Sequence, residues 1–188
     1  MSRNYKFKNP EGMYFVSFAT VFWIDVFVRK NYFDCIVKNL NHCVDHKGIE
    51  IYAWCIMTSH VHLVYKSTIQ KPEELLRDFK TFTSKEMVKL ISGNIQESRR
   101  EWLLNAFAKA GDKNSNNKNN HPDSYRDWQQ HNKPIELWSN EVIDQKINYI
   151  HSNPVEAGFV ENEWEYLYSS ARDYAGNKGC KNNNGIAA

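Results

Sequence analysis

Two strand-forming runs, Ile49 to Ile56 and Val61 to Tyr65, are separated by little more than the turn Met57-Thr58-Ser59. So short a link joins neighbouring strands only as an antiparallel hairpin, because a parallel pair needs a crossover of a dozen residues or more. Ahead of the hairpin, Tyr14 to Thr20 is aromatic and β-branched and reads as a first strand. Between them, Phe33, Ile36, Val37, Leu40 and Val44 recur at three-and-four spacing, which predicts a helix over Lys30 to Lys47 with Gly48 as its C-cap.

The chain continues in the same mixed pattern. Pro72 opens a second helix with Glu73 and Glu74 in its first turn and an apolar stripe of Leu75, Leu76, Phe79, Phe82 and Met87. A further helix is expected over Ile95 to Ala110, then a loop rich in Asn, Lys and Gly over Lys109 to Asn120. Trp128 to Gln130 reads as another strand, with Pro134 at its end or edge. Ser139 is a good N-cap for a last helix over Asn140 to Ser152 whose core row is Ile143, Ile147 and Ile150. Pro154 disfavours helical geometry at the residue before it, so Asn153 is expected at the helix end. The order β-α-β-β-α-(α)-β-α predicts an α+β fold: a ferredoxin-like (RRM-like) antiparallel sheet with helices packed on one face, plus the C-terminal helix.

With 188 residues and 41% hydrophobic content, one domain over 1–175 is expected, with a helical and loop insertion around 91–127 and a flexible tail over 176–188. No apolar run approaches the roughly 20 residues that span a bilayer, and no signal-like segment opens the chain, so a cytoplasmic protein without membrane contact is expected. Cys35, Cys43, Cys55 and Cys180 show no paired metal spacing, and the first three sit in apolar patterns as buried thiols. A net charge of +2 does not by itself argue for nucleic acid.

The chemistry concentrates at the start of the second hairpin arm. Strand alternation sends His60 and His62 to one face and Val61 and Leu63 to the other. Two imidazoles on one face can share a divalent metal but need a further ligand. Tyr149 and Asn153, four residues apart on the last helix, share a face of their own. Two histidines, an amide oxygen and a tyrosine suggest metal-assisted attack on a phosphodiester by the tyrosine hydroxyl. The plainer alternative is a pair of hairpin histidines bonding locally and a tyrosine used for packing.

Three blocks give the pattern a family likeness. Ala53-Trp54-Cys55-Ile56-Met57-Thr58-Ser59-His60-Val61-His62-Leu63-Val64 resembles the HUH block of single-tyrosine transposases. Tyr149-Ile150-His151-Ser152-Asn153-Pro154-Val155-Glu156-Ala157-Gly158-Phe159-Val160 resembles the tyrosine block of their REP-associated branch, and Trp164-Glu165-Tyr166-Leu167-Tyr168-Ser169-Ser170-Ala171 resembles its downstream Trp/Tyr-Ser-Ser block. The resemblance implies that His60, His62 and Asn153 bind a divalent metal, Mg²⁺ or Mn²⁺, and that Tyr149 is the nucleophile. It implies cleavage and rejoining of single-stranded DNA, often beside hairpins, through a 5′-phosphotyrosine intermediate in DNA transposition. Ser59 departs from the Asn that many relatives carry before the first histidine. Monomer and homodimer both stay open, because the family contains each.

Binding residues are less marked. Arg77, Lys80, Lys85, Lys89, Arg99 and Arg100 on the middle helices, with Lys113 and Lys118 in the loop, read either as solvated faces or as a phosphate-contacting surface. Lys146 shares the Tyr149 face, whereas His151 does not. Trp23, Trp102, Trp128 and Trp138 are candidates for stacking unpaired bases, with core packing as the default for most. The main alternative function is a catalytically inactive or domesticated single-stranded nucleic-acid-binding module. A water-activating metal hydrolase is a third reading.

Overall fold

A computed structural model describes residues 6–112 and 125–176. Its four strands are β1 (Met13–Ala19), β2 (Ile49–Ile56), β3 (His60–Ser67) and β4 (Ile135–Leu137), all antiparallel in the order β2-β3-β1-β4. Its main helices are α1 (Lys30–Lys47), α2 (Pro72–Gly93), α3 (Arg100–Asp112) and α4 (Asn140–Glu156). The sheet order is that of the ferredoxin-like plan.

Alternation along the strands divides the sheet into two faces. Tyr14, Val16 and Phe18 of β1 and Val61, Leu63 and Tyr65 of β3 point to one face, where α1, α2 and α3 close the larger core. Phe15, Ala53, Cys55 and Val64 point to the other, where Ile150 brings α4 down onto a smaller core. The helices expected on one face are there, and the C-terminal helix is the addition that covers the opposite face. Gly48 ends α1 at φ +67, as expected of a C-cap.

Several local expectations are corrected. Phe82 is exposed, and Thr83 and Ile91 join Leu75, Leu76, Phe79 and Met87 on the buried side of α2. The next helix starts at Arg100 rather than Ile95, because Ile95 is exposed and buried Glu97 organises a non-helical turn. There the Glu97 carboxylate accepts from Arg29 Nε (2.6 Å), Tyr32 OH (3.1 Å) and Arg99 N (3.1 Å). Trp128 makes only an isolated bridge to Thr20, and the fourth strand lies beyond Pro134. Proline can supply no N–H to a ladder, so regular pairing begins after it. Helix α4 runs through buried Pro154 to Glu156, and Gly158 at φ +74 follows it. Pro154 removes its own N–H from the ladder without ending the helix. Asn153 therefore sits within α4 rather than at its end.

Cys35, Cys43 and Cys55 are buried free thiols, each pushed up by burial, to about 11, 11 and 12. Cys180, residues 177–188 of the tail expected over 176–188, and most of the Lys109–Asn120 loop, with Lys113 and Lys118, lie outside the described residues.

Candidate active site

The site forms where β3 and α4 meet on the smaller-core face. In the antiparallel register His62 stands opposite Ser17 of β1 and Cys55 of β2, and His60 opposite Ala19. Small neighbours on both sides leave the imidazoles room above the sheet. The two rings are 4.7 Å apart between centroids. His62 is only 3% exposed and stacks on Phe15 at 5.7 Å.

Helix α4 brings its polar row over this pair. The Tyr149 ring meets His62 edge-on at 5.4 Å and Phe15 at 5.8 Å, while Tyr149 as a whole stays 42% exposed. Lys146 Nζ lies 5.1 Å from the Phe15 ring and 5.5 Å from the Tyr149 ring, so it shares that face as expected. The Asn153 Nδ2 donates to the Tyr149 carbonyl at 2.8 Å, which leaves the amide oxygen as the unspent atom of that side chain. All four sequence-predicted site residues, His60, His62, Tyr149 and Asn153, are thus gathered in one place.

The electrostatics favour neutral imidazoles. Burial, then the neighbouring His60, pushes His62 down to about 3, and Asn153 opposes the shift. Burial also lowers His60, against the pull of Asn153 and Asp25. His60 Nδ1 has Ser59 Oγ at 3.3 Å, whereas both ring nitrogens of His62 are buried without a hydrogen-bond partner. Buried polar atoms without partners are uncommon and call for an explanation. Two neutral nitrogens and an amide oxygen are a donor set that Mn²⁺ or Mg²⁺ accepts. Among the described residues no cluster of three His, Cys, Asp or Glu side chains offers a competing site.

What holds α4 in place was not read from the sequence. His151 points away from Tyr149, into the protein, where its Nε2 pairs with Ser170 Oγ at 2.8 Å. The same hydroxyl accepts from Trp54 N at 2.9 Å, and Ser170 N donates to Trp54 O at 2.9 Å. Ile56 N donates to Tyr168 O at 2.9 Å, and Tyr166 OH donates to Ile56 O, also at 2.9 Å. The Tyr-Ser-Ser block thus occupies the free edge of β2 and ties α4 to the strand that leads into the histidines. Its occurrence as a sequence block was the available signal; its role needed coordinates.

No protein-family model matches this sequence, and no curated protein is detectably similar to it. A solved structure of a REP-associated tyrosine transposase bound to a REP hairpin superposes with a TM-score of 0.65, covering 93% of this chain and 86% of that one. The fold is that of the REP-associated tyrosine transposase. At 15% identity the likeness extends to the architecture. In this chain the four-stranded sheet carries the helix of Tyr149 on the face of the histidine pair.

The other candidates separate. Lys80 is not a solvated lysine: its Nζ is held by Gln129 O (2.5 Å) and Asn132 Oδ1 (2.6 Å), and burial lowers it to about 8. Arg99 turns inward to Asp25 O and Glu97. Trp128 packs in the core as expected, but Trp23, Trp102 and Trp138 are all exposed, against the packing default. No helix among the described residues is long and apolar enough to cross a membrane.

Proposed function

We propose that this protein is a metal-dependent tyrosine transposase that nicks and rejoins single-stranded DNA. One observation carries the reading: the Tyr149 ring lies 5.4 Å from His62, whose two ring nitrogens are buried without a hydrogen-bond partner. A histidine serving only to pack would not leave both nitrogens unsatisfied beneath a half-exposed tyrosine.

In this reading His60, His62 and the Asn153 amide oxygen hold Mg²⁺ or Mn²⁺, which when bound offsets charge on the scissile phosphate. The Tyr149 hydroxyl attacks phosphorus in line, the P–O3′ bond breaks, and the phenolic proton is delivered to the departing 3′-oxygen. A phosphotyrosine and a free 3′-hydroxyl result, and attack by that hydroxyl reverses the step. Because the covalent link retains the phosphodiester energy, strand transfer needs no nucleotide cofactor. Lys146, over the Tyr149 ring, supplies a positive charge where negative charge develops. The hairpin bound by the structural neighbour supports a hairpin-bearing single strand as substrate.

The test is incubation with end-labelled single-stranded DNA carrying hairpins from the gene's own flanks, with Mn²⁺, followed by denaturing electrophoresis. A protein–DNA adduct that disappears with Tyr149→Phe, His60→Ala or EDTA is expected. Cleavage that survives Tyr149→Phe would instead mean activated water. Binding without cleavage would leave a binding module.

A further inference from the structure

The chain after β1 behaves unlike the rest of the molecule. Val21, Ile24, Val26 and Phe27 are buried, yet the two aromatics between them, Phe22 and Trp23, stand about half exposed. Both hold left-handed backbone conformations, at φ +57 and +56. Such conformations are costly for side chains of this size and persist only where the surroundings enforce them. Here the surroundings are the histidine turn itself. Thr20 N donates to Ser59 O (2.8 Å), Phe27 N to Thr58 O (2.9 Å), and Thr58 Oγ1 to Asp25 Oδ1 (2.6 Å). Thr20 Oγ1 contacts both Ser59 O (3.0 Å) and Ile24 O (2.6 Å). The loop is therefore fixed to the segment that carries His60, and Trp23 reaches that ring edge-on at 5.7 Å between centroids.

Trp23 also lines an open groove of about 700 Å³. The groove's lining includes Ser17 and Ala19, the cross-strand partners of His62 and His60, so it adjoins the candidate site. It is also lined by the segment 129–134, which bonds to β1 through Gln129 N to Ala19 O (2.8 Å) and Ser17 N to Asn132 O (3.0 Å). Exposed Lys133 and Lys6 line it, with Glu73 as its acidic member. Small β1 residues, a fixed indole and two exposed lysines around one groove suit one class of ligand: a nucleotide with its base unpaired and its phosphate exposed.

We propose that this groove binds the unpaired nucleotide flanking the scissile phosphate, with its base stacked on Trp23. The assignment rests on the cleavage reading for the word "scissile" alone; the groove as a nucleotide site stands without it. Trp23 is a positioning residue, because it would fix the strand's register relative to Tyr149 while touching no reacting atom.

The experiment measures Kd by fluorescence anisotropy, using a fluorescein-labelled DNA hairpin with an oligothymidylate tail and the same hairpin with an abasic tail. Wild-type protein should prefer the thymidylate tail by about 5- to 100-fold, the range that one base–aromatic stack commands. Trp23→Ala should bind both tails alike, at the wild-type affinity for the abasic one, and Trp23→Phe should recover most of the preference. Thermal melting of Trp23→Ala should match wild type, since the side chain is half exposed. Equal discrimination by Trp23→Ala and wild type would overturn the proposal, and so would a wild type indifferent to the bases. Adduct formation by wild type, read on the same hairpins, reports the cleavage reading separately. Its absence beside intact Trp23-dependent discrimination would remove the chemistry and leave the groove.

Discussion

The hydrogen bond between His151 and Ser170 yields the most quantitative expectation. His151 is buried, and burial lowers it from 6.5 to about 4. In the unfolded chain it takes a proton as pH falls through about 6.5, while in the folded protein it stays neutral until about 4. The unfolded state thus binds more protons between those values, and stability falls as pH falls across that window. From about pH 7.5 to about pH 5 the loss from this residue is about 2 kcal/mol, the product of roughly 1.5 pH units and about 1.4 kcal/mol per unit.

The wild-type curve alone would hide it. His62, lowered to about 3, adds a loss of the same sign and a similar size, about 2 kcal/mol. Asp127 is raised by burial from 3.8 to about 7, so the folded protein takes up its proton first and gains about 3 kcal/mol over the same interval. The terms partly offset one another, and only a difference between variants isolates one of them. His151→Gln keeps an acceptor near the Ser170 hydroxyl and removes the titration. Urea denaturation in EDTA at the two pH values should show the variant about 2 kcal/mol less acid-sensitive than wild type. Identical pH dependence would mean that native His151 accepts its proton normally, and the account of a neutral buried pin would fail.

Other consequences are simpler to read. Lys146→Met should slow adduct formation by about three- to tenfold at saturating Mn²⁺ in single-turnover gels, with little effect on melting temperature, since its cation lies over the Tyr149 ring. Glu97→Ala removes the shared acceptor of Arg29, Tyr32 and Arg99 and should cost about 3 to 5 kcal/mol in urea unfolding. Gly48→Ala places a Cβ 2.5 Å from Ile69 Cγ1 and 2.7 Å from Thr68 Oγ1 in a left-handed conformation, so about 1 to 3 kcal/mol of destabilisation is expected in the same assay.

The parts legible in the sequence were those governed by a short period. The spacing of Phe33, Ile36, Val37 and Leu40 specified α1, and alternation put His60 and His62 on one face, because each pattern answers to a single element's geometry. The i,i+4 relation of Tyr149 and Asn153 survived even though α4 outran its expected end, since helix phase is insensitive to where the helix stops. Features set by distant partners were misread. Phe82 falls on a helical stripe but faces solvent, and Trp128 resembles a strand residue but spends its Nε1 on Thr83 Oγ1 at 3.0 Å. Pro134 looked like the close of a strand because the pairing of Met13 to Phe15 with residues beyond it is invisible locally. His151 looked inert beside Tyr149, and its partner Ser170 is 19 residues away.

These long-range ties share a destination. The loop after β1 bonds to Thr58 and Ser59, the Tyr-Ser-Ser block bonds to Trp54 and Ile56, and the 128–132 segment bonds to Ser17, Ala19 and Thr20. Each thus fixes the hairpin or the strand beside it, where the histidines sit. A tyrosine nucleophile must meet phosphorus within a fraction of an ångström of the productive geometry, and slack in any support is a direct loss of rate. Helix α4 gains its position from the downstream block rather than from its own small core, whose buried members on the helix are few. The segment 129–134, just past the expected insertion, lies along β1 and lines the groove beside Trp23.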